Sequence, residues 1–140
     1  PHFLGRAVVV RGMNGNAVSE ELAGELVSVC RTTVGDELRS LTYFDTSGEE
    51  QLYLRDDLTS DADLVGFADN ERLGFRSQSV YDGSELGDYR FTMRVFDRGY
   101  LTRVIADGHG AFVTTDGMPM DRFKELASAV RSVLEEHSRD

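Results

Sequence analysis

The sequence predicts an α+β domain, a mainly antiparallel five-stranded sheet carrying helices on its faces. Three observations predict it. Tyr89 to Asp116, YRFTMRVFDRGYLTRVIADGHGAFVTTD, reads as three consecutive strands broken at Asp97-Arg98-Gly99 and at Asp107-Gly108-His109-Gly110. Both breaks are the short, glycine-bearing connections that hairpins use. A further hairpin spans Leu38 to Leu54, and amphipathic stripes of helical period begin after Ser19 and after Pro119.

Taken in order, residues 1–17 hold two arginines and no acid, unlike everything after them. They read as an N-terminal arm whose Phe3–Val10 stretch could dock as a strand on a sheet edge, in its own subunit or a neighbour. Residues 18–140 read as one α+β domain. Ser19 can cap free amide groups, and Glu20 and Glu21 sit where the helix dipole favours negative charge. Leu22, Leu26, Val29, Cys30 and Thr33 follow at helical spacing, and Gly35 is a terminator.

Leu38–Phe44 and Glu50–Leu54 form two strands joined at Asp45-Thr46-Ser47-Gly48. Simple alternation puts Leu38, Ser40 and Thr42 on one face and Leu41 and Tyr43 on the other. A second helix is expected from Asp61 to Leu73, with Leu64, Phe67, Ala68 and Leu73 as its stripe and Gly74 as its end. Gln78–Tyr81 reads as a weak edge strand. In the meander, Tyr89, Phe91, Met93 and Val95 alternate with Arg90, Thr92 and Arg94, the period of a half-buried strand. Pro119 suits the first turn of a closing helix, where its missing amide costs nothing. Phe123, Leu126, Ala127, Val130, Val133 and Leu134 then make an i, i+3, i+4, i+7 stripe.

This α-β-β-α-β-β-β order, closed by a last helix, resembles the roadblock and profilin-like architecture. That resemblance implies helices on both faces of a five-stranded antiparallel sheet. The alternative arrangement is a two-layer sandwich with every helix on one face.

Composition narrows the function. The 140 residues suffice for one core without metals or disulfides. No apolar run approaches a membrane span, so neither a span nor a leader is expected, and no membrane partner. Cys30 is the single cysteine, which excludes a disulfide framework and points to a reducing cytoplasm. It lies on an apolar stripe with no histidine near it in sequence, which fits a structural thiol.

Acids number 25 against 15 basic residues, and the basic set is 14 arginines with one lysine, Lys124. An acidic, lysine-poor surface resembles that of proteins from salt-loving archaea. Dense carboxylates hold water and cations there, while concentrated salt screens their repulsion. The segments Val34–Asp45 (VGDELRSLTYFD), Glu50–Leu58 (EQLYLRDDL) and Val95–Val104 (VFDRGYLTRV) are similar to a family of small haloarchaeal proteins. That similarity brings no activity or cofactor with it. A net charge of −10 argues against nucleic-acid binding, which needs a basic face.

No catalytic set converges in the sequence. His2, His109 and His137 lack metal-ligand spacing, no phosphate-cradling glycine loop opens a helix, and no nucleophile elbow is present. Neither a cofactor nor a metal is expected. Electrostatics is more informative: Phe75–Ala106 carries five arginines against four acids, while the rest of the chain has a surplus of eleven acids. Arg90 and Arg94 are expected on one strand face, with Arg103 beside them on the next strand. Phe96 and Tyr100 are apolar anchors at the intervening turn, and His109 can project from the second turn. These six residues form the candidate ligand or partner surface. The reading is a non-catalytic homo-oligomeric or regulatory interaction module, most simply a homodimer. A sensor of small anions, or an enzyme assembled from distant residues, is the alternative.

Overall fold

The computed structural model of the chain describes residues 18–58, 67–75 and 81–138. The N-terminal arm, the first half of the expected second helix and most of the weak strand at Gln78–Tyr81 lie outside them. Tyr81 itself belongs to a 3-10 turn.

Helix α1 spans Glu20–Val34. The Ser19 hydroxyl accepts from the Leu22 amide at 3.1 Å, and Gly35 ends the helix at φ 57°, the left-handed region that suits glycine. Strands β1 (Leu38–Asp45) and β2 (Gly48–Leu54) follow. Asp45 fixes their turn: its Oδ1 accepts from the Ser47 amide, the Ser47 hydroxyl and the Gly48 amide. Helix α2 spans Phe67–Arg72. Strands β3 (Thr92–Phe96), β4 (Gly99–Ala106) and β5 (His109–Thr115) form the meander, and α3 (Met120–Glu136) closes the chain.

The sheet order is β2-β1-β5-β4-β3, with every neighbouring pair antiparallel. The last strand of the meander therefore docks beside β1, and β5 is the centre of the five described strands. Asp107 and Gly108 turn β4 into β5 at φ 53° and 88°, the left-handed pair that a two-residue hairpin demands. His109 is thus the first residue of β5 and not part of the turn.

The two faces of the sheet are packed differently. On one, α1 and α3 lie over Leu41, Tyr43, Val104, Ala111 and Val113, closing the large core that also holds Leu26, Cys30, Leu126 and Leu134. Burial pushes the Cys30 thiol up to about 12. On the other face, Phe67 of α2 and Phe75 after it pack on Phe44, Leu101, Ile105 and Phe112. Helices on opposite faces exclude the two-layer alternative.

Three local expectations change. A bulge between Leu38 and Ser40 breaks alternation along β1, so Leu38 joins Leu41 in the α1–α3 core. Pro119 is the residue before α3 and not its first helical position. Leu73, assigned to the apolar stripe of the second helix, points outward and is 62 % exposed. At the sheet's end, Arg55 donates to both carboxylate oxygens of Asp116 (2.7 and 3.2 Å) and to the Asp36 carbonyl, joining β2, β5 and the turn after α1. Asp116 and Asp57 hold that guanidinium firmly charged, and Arg55 in turn lowers the Asp57 carboxyl below its usual range.

Candidate interaction surface

Strand β3 ends the sheet. Its inner edge pairs with β4 from Thr92↔Arg103 to Phe96↔Gly99, and among the described strands none pairs with its outer edge. Successive side chains alternate, so Thr92, Arg94 and Phe96 share the α2 face while Met93 and Val95 share the α1–α3 face. Val95 is 67 % exposed and Phe96 53 %. The alternation expected from sequence holds from Phe91 to Val95, but Tyr89 packs on the α2 cluster and Arg90 lies in the groove beside Phe91, because the regular strand starts only at Thr92. At its other end the strand outruns the core beneath it. The opposite outer strand, β2, is buried along nearly all its length.

Beside this edge α2 is held by a buried carboxylate. Glu71, 1 % exposed, receives the Arg94 Nε at 2.8 Å on one oxygen and the Arg103 Nη1 at 3.3 Å on the other. Arg103 also donates from Nη2 to the Thr92 hydroxyl at 2.7 Å. The Tyr89 hydroxyl donates to the Arg103 carbonyl at 3.0 Å, which leaves its oxygen to accept from Thr92 at 3.0 Å. The result is a closed ring of donors joining the lead-in to β3 with β4, and the Tyr89 ring lies 6.0 Å from the Arg103 guanidinium. Gly74 lets the chain after α2 sit directly on Arg103: a Cβ there would approach the guanidinium carbon to 2.6 Å.

The six residues singled out from sequence therefore separate. Arg94 and Arg103 do meet, through Glu71. Arg90 precedes β3 and lies away from Arg94, lining a groove against α3 with Phe91 and Lys124. Phe96 and Tyr100 both border a cavity of about 330 Å³ at the β3–β4 turn, with Arg39, Phe67 and Thr114. Tyr100 is directed to the other side of the sheet, its ring 4.9 Å from that of Phe123. His109 does not project at all: it is fully buried. Its Nε2 faces the Leu134 carbonyl at 2.7 Å, an acceptor only, so Nε2 carries the hydrogen. In the neutral ring Nδ1 then accepts from the Tyr43 hydroxyl at 2.8 Å. His109 pins β1, β5 and α3 together, which is a structural task.

Sequence reasoning missed Glu71, although a signal existed. It follows Phe67 by four residues and so shares the face that α2 buries. Donor atoms of Glu21, Glu25 and His137 lie within 4.8 Å of one another. His137 Nε2 lies 3.2 Å from Glu25 Oε1, a hydrogen bond that ties the end of α3 to α1.

Comparison with known proteins bears on the fold. The gliding protein MglB from Thermus thermophilus superposes with a TM-score of 0.56 over 86 % of this chain and 96 % of its own, at 13 % identity. The roadblock-like α-β-β-α-β-β-β arrangement is the fold of this chain. No helix among the described residues is long and apolar enough to cross a membrane. No curated protein matches the sequence. The model of a domain of unknown function, DUF7522, matches residues 24–135, and the chain belongs to that family.

Proposed function

We propose that this chain is a non-catalytic interaction module that self-associates through the outer edge of β3. The observation that carries the reading is that edge itself, a row of ladder groups flanked by Val95 and Phe96, both more than half exposed. Exposed edges of this kind are templates for another strand, and natural folds usually blunt them with lysine, proline or a covering segment. Here the edge carries Arg94, which is turned inward to Glu71 and leaves the flanking apolar groups bare. Two copies meeting antiparallel at β3 would form an isologous interface and one continuous sheet. The acidic, lysine-poor composition supports a salt-rich cytoplasm as the working environment, where repulsion between two such subunits is screened.

Light scattering in concentrated KCl tests this. The wild-type chain is expected at twice its monomer mass, and Val95→Glu with Phe96→Glu at the monomer mass with an unchanged circular-dichroism spectrum. A monomeric wild type, or a dimer that survives both charges, overturns the assignment.

A further inference from the structure

A groove runs between the lead-in to β3 and helix α3, on the sheet face opposite α2. It encloses about 450 Å³ and is lined by Arg90, Phe91, Lys124, Ala127, Ser128 and Arg131. That volume is of small-molecule scale. Three of the six lining residues are cations and none is an acid, in a chain whose net charge is −10. The chain's one lysine is among them.

The three cations are held differently. Arg131 is fixed, donating from Nε to Glu135 at 2.9 Å and from Nη1 to the Tyr89 carbonyl at 3.1 Å. Arg90 and Lys124, both exposed, make no hydrogen bond or ion pair with the described residues. Arg31, Arg55, Arg94 and Arg103, by contrast, are all paired with acids. A fixed guanidinium with two unengaged cations across an apolar floor of Phe91 and Ala127 is a receptor for charged oxygens. Next door, a second cavity of about 340 Å³ shares Arg131 and is lined by Tyr81, Leu86 and Tyr89, but also by Asp82 and Asp88. The two aspartates repel an anion, so a ligand's charged end belongs on the Arg90–Lys124 side and an uncharged body can extend past Arg131.

We infer that this groove binds a small molecule bearing a multivalent oxyanion, phosphate or carboxylate, at one end. The inference is independent of the β3 assignment, because neither Arg90 nor Lys124 belongs to that strand.

Isothermal titration of the full chain, at the lowest KCl concentration that keeps it folded by circular dichroism, tests it with pyrophosphate, ATP, citrate and adenosine. Pyrophosphate or citrate is expected to bind, adenosine not, and the better of the two anions identifies the head group. Arg90→Gln with Lys124→Gln should weaken binding at least about tenfold through the loss of two charge-assisted contacts. Arg98→Gln, at the exposed β3–β4 turn, should leave affinity unchanged. Both variants are expected to keep the fold, since none of the altered side chains bonds to another element among the described residues. Absence of binding by the wild type, or equal affinity in the double variant, overturns the site. So does binding of an oligoglutamate peptide with the small anions silent, which would reassign the groove to a macromolecular partner.

Discussion

The two faces of one sheet are built by different chemistry. Under α1 and α3, twenty of the described residues form one buried cluster in which the helices contribute leucine, valine and alanine at helical spacing. Under α2, the apolar cluster has four buried residues among those described, and a buried glutamate held by two arginines adds a polar anchor. The first face supplies stability, because non-directional burial of that extent is the dominant favourable contribution in folding. The second supplies position. An ion pair withdrawn from water adds little net stability, since desolvation offsets much of the attraction, but it tolerates only one arrangement of its partners. Helix α2 is thus placed by geometry beside β3, and among the described residues the exposed edge is bordered by the face with the smaller apolar cluster.

The largest effect is expected at Glu71. Glu71→Ala leaves Arg103 buried without its carboxylate and should lower stability by about 3–5 kcal/mol in denaturant titration. Replacing Glu71 and Arg103 together by leucine should restore most of the loss, because no buried charge is then stranded and Arg94, 42 % exposed, turns to water. If Glu71→Ala costs less than about 1 kcal/mol, a value typical of exposed pairs, the second face is not held as described. Should the double replacement prove as damaging as the single one, the pair would be a stabilising element and the contrast between the faces would fall.

The same contrast explains what could be read from sequence. The α1–α3 face was legible because its signals are local: a cap at Ser19, stripes at three- and four-residue spacing, and hairpins marked by glycine and aspartate. Topology followed from element order. The α2 face was not legible, because Glu71, Thr92 and Arg103 are joined only by folding, and periodicity carries no record of which acid meets which base. His109 misled for a related reason. Flanked by Gly108 and Gly110 it resembles a turn residue, yet the two-residue turn ends one position earlier and places it in the core. The bulge in β1 escaped too, since alternation presumes an unbroken ladder.

A smaller effect checks that the first face excludes water. The Cys30 thiol titrates near 9.0 when exposed and is pushed up to about 12 by burial. Below the unfolded value both states keep the proton and pH has no effect through this group. Above it the unfolded chain ionises while the folded one does not, so stability falls between about 9 and 12. At pH 10 the loss is on the order of 1 kcal/mol. Comparing the pH 8 to pH 10 change in wild type and Cys30→Ala isolates this contribution, since other titrating groups are common to both. An identical slope in the two proteins would mean that water reaches Cys30.

The smallest effect is a gain. Thr102 lies on β4 opposite Met93 and Val113, fully buried on the α1–α3 face. Its hydroxyl has no hydrogen-bond partner among the described residues. A hydroxyl taken from water without a new partner is a cost, and valine has nearly the same shape with a methyl in its place. Thr102→Val should therefore stabilise the protein by about 1 kcal/mol, read as a shift in the denaturation midpoint at constant slope. The corresponding change at Thr92, whose hydroxyl links Arg103 to Tyr89, should instead destabilise by a comparable amount. Opposite signs at these two threonines would show that the packing around Thr102 makes no use of its hydroxyl while the α2 face depends on that of Thr92. Matching signs would mean that the faces differ in composition but not in how they are held.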